Sequence, residues 1–144
     1  MTPLGVQWTA DLYGCDAALL DDQERIGAFL LEAAEVAGAT VLSSHLHRFA
    51  PQGVSGVVVI AESHIAIHTW PEHGYAALDL FSCGDHLRAE QGIRRLAERV
   101  GAVRVECKRH LRGDRRRIAA PGHPTTPAEA TPRVRRWVRR LTAR

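Results

Sequence analysis

The sequence predicts an α+β fold, a two-layer sandwich of a mainly antiparallel sheet with helices on one face. Two segments place apolar residues at helical spacing, several short runs alternate apolar and polar, and the order is strand, helix, a run of strands, helix, strand. At 144 residues, 45% hydrophobic and 24% charged, the chain is long enough for one sizeable core and too short for two ordinary ones.

"GVQWTADLYG" alternates roughly and ends at Gly14, as a strand does. "DDQERIGAFLLEAAEVAGA" is the plainest helix: Asp21 or Asp22 can cap it, Ile26, Phe29, Leu30, Ala33, Ala34 and Ala37 form its apolar stripe, and Gly38 closes it. "ATVLSSHLHRFA", the turn "PQG" and the buried run "VSGVVVIA" read as a hairpin. "SHIAIHTW" alternates again, with Ile65 and Ile67 on one face and His64, Ala66 and His68 on the other, and Pro71 ends it. "YAALDLFSC" is a further strand. "RAEQGIRRLAERVGA" is a helix carrying Ile93, Leu96, Ala97 and Val100, and "VRVECKRHL" is the last strand.

The formal charge of +3 hides an asymmetry. Residues 1–110 hold nine Lys/Arg against fourteen Asp/Glu, and residues 111–144 hold ten Arg against two acids, so the net charges are −5 and +8. From Arg112 onward the Arg, Pro, Thr and Gly content is too poor in apolar residues to build core, which divides the chain into a domain over 1–112 and a basic extension over 113–144. Within the extension "RVRRWVRRL" can form a short amphipathic helix with Val134, Trp137, Val138 and Leu141 on one side. No run reaches the length of a membrane span and the first residues lack a signal pattern, so a cytoplasmic protein is expected. Cys15, Cys83 and Cys107 are odd in number and widely spaced, which argues against a disulfide framework and reads them, before their neighbours are considered, as small buried hydrophobes.

The stretch "IAESHIAIHTWPEHGY" concentrates Glu62, Ser63, His64, His68, Trp70, Glu72 and His73 in what reads as a plain strand. Ser63 and His68, five positions apart, point to opposite faces of a straight strand, so a hydrolase-like pair there requires a sharp turn at Ser63. His45, His47, His64, His68, His73 and Cys83 are metal-ligand types, but their spacings match no ligand motif, and no metal is expected.

From about Leu4 to Arg112, and most densely over "GATVLSSHLHRFAPQGVSGVVVIAESHIAIHTWPEHGYAALDLFSCGD", the chain resembles the prokaryotic S-adenosylmethionine decarboxylases, pyruvoyl-dependent enzymes of polyamine biosynthesis. The resemblance implies a proenzyme that cuts itself between Glu62 and Ser63. The Ser63 hydroxyl would attack the preceding carbonyl to give an ester, elimination would leave dehydroalanine, and hydrolysis would leave a pyruvoyl group capping residues 63–144. That carbonyl, as a Schiff base with the substrate amine, is the electron sink that amino-acid decarboxylation needs, and it dispenses with pyridoxal phosphate. In keeping with this, Lys108 is the only lysine and no Gly-rich phosphate loop is present.

By the same resemblance, His68 assists proton transfer in processing, Ser55 lies near the ester intermediate, and Cys83 protonates the substrate carbon after carbon dioxide departs. Phe49 and Trp70 would sandwich adenine, Glu72 hold the ribose hydroxyls, and the Ile65 backbone contact adenine. Trp70 and Glu72 would act across the interface of a homodimer. The match breaks at "GVQW", where the family has Gly, any residue, His and a small aliphatic, so Gln7 and Trp8 depart from it. Relatives of the family decarboxylate L-ornithine or L-arginine, and such a compact substrate would need a carboxylate such as Asp11, Asp79 or Asp85 for its distal cation. The remaining alternatives are an unprocessed regulatory partner and a binder of nucleic acid or anionic surfaces through the tail. The intact Glu62, Ser63, His68 and Cys83 count against the first, and the short arginine run beside an acidic body counts against the second.

Overall fold

The computed structural model describes residues 3–84 and 86–118. The chain divides into two compact units, Gly5–Arg112, and Met1–Leu4 together with Gly113–Arg144. The first unit holds a six-stranded sheet in the order β2-β3-β4-β5-β1-β6, antiparallel at β2/β3, β3/β4, β4/β5 and β5/β1. With helices on one face of that sheet, this is the α+β architecture the sequence predicts.

Strand β1 (Pro3–Tyr13) buries Val6, Trp8, Ala10 and Leu12 and turns Gln7, Thr9 and Asp11 outward, the period of two that its alternation implies. The one-turn helix α1 (Ala17–Leu20) is capped by the Asp16 carboxylate, which accepts from the N–H groups of Ala18 (2.8 Å) and Leu19 (3.1 Å). Of the two candidate caps for α2 (Gln23–Ala37), the structure selects Asp22, which accepts from Arg25 N–H at 3.0 Å. Asp21 serves elsewhere, and Gly38 ends the helix at φ 77°, a left-handed conformation open to glycine.

Strands β2 (Thr40–Arg48), β3 (Val54–Ala61), β4 (Ser63–Trp70) and β5 (Tyr75–Ser82) follow as a meander, with a short 3₁₀ turn at Pro71–His73. β3, read from its run of valines as buried, buries one face only: Val54, Val58 and Ile60 face the helices while Val59 lies exposed on the other side. Helices on a single face leave half of every strand open, and a valine run cannot reveal which half. The helix α3 (Ala89–Arg99) packs against α2 so closely that a side chain at Gly92 would meet the Ala33 carbonyl at 2.7 Å. Strand β6 (Arg104–Asp114) runs through "RGD", three residues past the end expected, and the one-turn helix α4 (Arg115–Ile118) follows where a linker was expected. Backbone pairing is indifferent to side-chain polarity, and a charged edge strand resists pairing with other chains. In the second unit Asp114 Oδ1 accepts from Arg116 N–H at 3.0 Å. The tail segment 133–141 and Asp85 lie outside the described residues.

Candidate functional site

The turn between β3 and β4 places Glu62 at the tip of a hairpin whose last register pair is Ile60 and Ser63. Ser63 is also opposite Ser82 of β5, so the start of β4 is gripped on both sides. Its φ of 151° makes it the only non-glycine at positive φ among the described residues. Such a conformation costs on the order of 1–3 kcal/mol in a residue with a side chain and persists only where its surroundings enforce it. The Glu62 carbonyl accepts a hydrogen bond from Cys83 N–H at 3.3 Å, which brings the Cys83 loop onto the Glu62–Ser63 peptide. That loop is shaped by Ser82, whose hydroxyl donates to the Gly84 carbonyl (2.9 Å) and accepts from Gly84 N–H (3.1 Å). Ser82 is a positioning residue that the sequence reading missed; the "SCG" turn closing an alternating strand was its only signal. Cys15 is buried as expected of a small hydrophobe, Cys107 is exposed against that expectation, and Cys83, expected from the resemblance to be a working thiol, is also exposed.

A second group lies at the far end of the same hairpin, on the face the helices leave open. Ser55 and His68 are register partners, and Ser55 Oγ lies 2.7 Å from His68 Nδ1. Trp70 lies beyond His68 on β4 and packs on Tyr75 with ring centroids 5.2 Å apart. Glu72 is exposed in the 3₁₀ turn that follows. Phe49 rests edge-on against His47 at 4.6 Å, and its N–H donates to the Gly53 carbonyl at 2.8 Å, closing the β2–β3 loop. Asp21 clamps that loop through Arg48 Nη2 (2.6 Å) and Gly53 N–H (2.9 Å), and the Arg48 hydrogen bond is the main reason its carboxyl is held below the usual range. Ile65 turns its side chain into the core, leaving only backbone for any contact.

The structure therefore brings Glu62, Ser63 and Cys83 together, and separately gathers Phe49, Ser55, His68, Trp70 and Glu72. It does not bring the two groups together within one chain. Five strand positions separate Ser63 from His68, about 16 Å at the rise of an extended strand. Ser63 and His68 also fall on opposite faces, as the alternation implied, and it is Ser55 from the neighbouring strand that partners the imidazole.

Between the two groups the open face carries a polar chain that the sequence reading did not find. Asp79 Oδ2 lies 3.1 Å from His64 Nε2, Asp79 Oδ1 accepts from Gln7 Nε2 at 2.7 Å, and Gln7 Oε1 accepts from Arg112 Nη1. Nearby Tyr75 donates its hydroxyl to Asp11 at 2.5 Å, and that bond, more than burial, pushes the phenol up to about 12. Two of the three carboxylates considered for the distal cation of a compact amino acid are thus already engaged. Trp8, the other departure at "GVQW", faces the helices, where it lines a cavity of about 500 Å³ with Ile93, Val105, Cys107 and Arg109. None of the residues of either group lines it. Among the described residues no three His, Cys, Asp or Glu gather as metal ligands.

Comparison with known proteins agrees with this architecture. The crystal structure of the adenosylmethionine decarboxylase from Aquifex aeolicus superposes with a TM-score of 0.73 at 41% identity, covering 79% of this chain and 94% of that one. Residues 6–113 match the family described as S-adenosylmethionine decarboxylase, and the chain belongs to that family. The S-adenosylmethionine decarboxylase proenzyme of Acidithiobacillus ferrooxidans is 45% identical over 123 residues, 85% of this chain and 92% of the relative. That of Thermosipho africanus is 48% identical over 121 residues, 84% and 93% of the two chains.

Proposed function

We propose that this chain is an S-adenosylmethionine decarboxylase proenzyme that cuts itself between Glu62 and Ser63 and works as a homodimer in polyamine biosynthesis. It is an enzyme, a carboxy-lyase acting on S-adenosylmethionine. The observation that carries the self-cleavage is the Cys83 N–H on the Glu62 carbonyl, beside a serine at φ 151°. A backbone donor on the carbonyl under attack stabilises the oxyanion that forms there, an effect worth about 3–4 kcal/mol in acyl transfer. Ser63 Oγ bonds to the Glu62 carbon, the Glu62–Ser63 C–N bond breaks, and the freed nitrogen takes the hydroxyl proton. Loss of the Ser63 α-proton then expels Glu62 as a carboxylate and leaves dehydroalanine, which takes up water and releases ammonia to leave the pyruvoyl group on residues 63–144.

The group so formed supplies a conjugated carbonyl that accepts the electrons left when carbon dioxide departs. Cys83 is beside it and holds the proton for the substrate carbon. The His68 imidazole, hydrogen-bonded to Ser55, moves the proton in processing. Phe49 and Trp70 offer flat faces to adenine, a surface that also tolerates the sulfonium cation, while Glu72 accepts from the ribose hydroxyls and the Ile65 backbone meets the base.

The separation of about 16 Å between the two groups supports the homodimer. When the open faces of two copies meet about a two-fold axis, each Ser63 end can lie against the His68 end of the other copy, so that each site is built from both chains. Apolar side chains on and beside this open face favour its burial: Val59 is 39%, Trp70 39% and Phe49 47% exposed. The catalytic part is residues 1–112, and 113–144 is an extension the chemistry does not use. A cytoplasmic setting keeps the Cys83 thiol reduced. No described helix is long and apolar enough to cross a membrane.

An ornithine or arginine substrate is disfavoured, because Asp11 and Asp79 already hold Tyr75, His64 and Gln7. Intact mass under denaturing conditions tests the reading. Two fragments, 1–62 and 63–144, the second carrying pyruvoyl in place of serine, are expected, with carbon dioxide released from S-adenosylmethionine and not from ornithine or arginine. A chain that stays uncut on long incubation would overturn it.

A further inference from the structure

Cleavage creates a mechanical difficulty. In the uncut chain the start of β4 is tied to β3 through Glu62; once that bond is gone, residue 63 becomes a chain end, and chain ends fray. Yet the reactive carbonyl is carried on the His64 amide and must stay placed to within a fraction of an ångström, since a displacement of about 1 Å can lower a rate roughly a hundredfold.

His64 is the first intact residue after the cut, and it is held more firmly by its side chain than a strand residue needs to be. Its ring lies nearly parallel to that of Phe81, its register partner on β5, with centroids 6.2 Å apart and an angle of 14°. Its Nε2 meets Asp79, the diagonal neighbour on the same face, at 3.1 Å. Asp79 is held in turn by Gln7 of β1 at 2.7 Å, and Gln7 by Arg112 of β6. The polarity of the chain is determined at every link. A guanidinium only donates and a carboxylate only accepts, so Gln7 must present its oxygen to Arg112 and its nitrogen to Asp79, and His64 must carry its proton on Nε2. Three side chains from three other strands are thus linked in series to the residue that the cut would otherwise loosen.

We infer that the chain Arg112–Gln7–Asp79–His64 is a positioning device that anchors the newly made end of β4, and with it the reactive carbonyl, to the sheet after cleavage. The inference rests on the self-cleaving decarboxylase reading. It assigns these residues no contact with substrate. Gln7 suits the position because a neutral amide passes the polarity from Arg112 to Asp79 at any pH near neutral.

Asp79→Asn tests this with no change of shape. Its amide keeps one acceptor for Gln7 and turns a donor toward His64, so the contact survives only if the imidazole moves its proton to Nδ1, and the charge-assisted bond to the ring is lost. Cleavage should go to completion as in the parent chain. kcat should fall by roughly ten- to a hundredfold with KM within about twofold, the pattern of a misplaced reacting group and not of lost substrate binding. Amide hydrogen exchange at residues 64–66 gives a readout that an ordinary structural role would not move: it should quicken in cleaved Asp79→Asn but not in the uncleavable Ser63→Ala, Asp79→Asn double variant. Gln7→Met, one link further out, should show the same effects in weaker form and serves if the Asn variant folds poorly. Unchanged kcat in both variants, failure of a folded Asp79→Asn chain to cut, or equal quickening with and without cleavage would each overturn the inference. The parent chain separates the two ideas: if it neither cuts nor decarboxylates, the proposed function fails; if it does both and the variants match it, only the anchor fails.

Discussion

Thr69→Val should destabilise the fold far more than its near-identical shape suggests. Thr69 lies on β4 between His68 and Trp70, is 7% exposed, and points into the core. Its hydroxyl accepts from Val54 N–H at 2.8 Å and donates to the Leu20 carbonyl at 2.8 Å, joining β4 to the first residue of β3 and the end of α1. Valine fills the same volume but leaves both buried backbone groups without a partner. At about 1–3 kcal/mol for each stranded group, less a few tenths regained from the added methyl, the loss is about 2–5 kcal/mol. For a domain of this size about 4–8 °C accompanies each kcal/mol, so Tm should fall by roughly 10–40 °C, while Thr69→Ser should recover most of it. The assay is urea and thermal unfolding of Ser63→Ala chains, which keeps cleavage from confounding the comparison. A valine variant within about 0.5 kcal/mol of the parent, the range of an inert surface change, would refute the reasoning.

Cys83→Ala keeps the backbone N–H on the Glu62 carbonyl and removes the thiol, so it should still cut to 1–62 and 63–144 while carbon dioxide release falls by about 10²–10⁴-fold; an uncut chain would show that the thiol, and not the amide, serves processing. Co-expressed Ser63→Ala and His68→Ala chains, each uncut alone, should yield cut His68→Ala chains by mass, because the intact serine of one copy meets the intact imidazole of the other; absence of fragments would place the processing groups within one chain. Glu32 is held at about 2 first by its hydrogen bonds to Arg99 and then by those to Arg95, so its contribution to stability is complete above its ordinary value of 4.5 and is lost as pH falls toward 2. Urea midpoints measured from pH 6 to 2 should therefore decline less steeply in Glu32→Gln than in the parent; parallel curves would remove the pair from the acid limb.

The strands and helices were legible because their signals are local. α2 could be read from its alanine and leucine stripe and its terminal Gly38, and β4 from the alternation of Ile65 and Ile67 with His64 and His68. The ends were less so: β6 continues through Arg112–Asp114 because an edge strand needs backbone partners more than apolar side chains. The candidate site was legible as a set of residues only through resemblance, since a serine after a glutamate has no periodic signature.

Residue types and their spacing determined by themselves that this chain makes an α+β sandwich, that its charge divides near residue 111, and that it carries the Glu62–Ser63 pair with Cys83 twenty residues on. Only the tertiary structure decided which polar groups meet. Ser55 finds His68 across a hairpin, Cys83 N–H finds Glu62 across two strands, and Gln7 lies between Asp79 and Arg112, its partners 72 and 105 residues away. Periodicity along a chain assigns a side chain to a face, whereas its partner on that face is chosen by strand order and register, which the packing of the whole sheet against α2 and α3 determines.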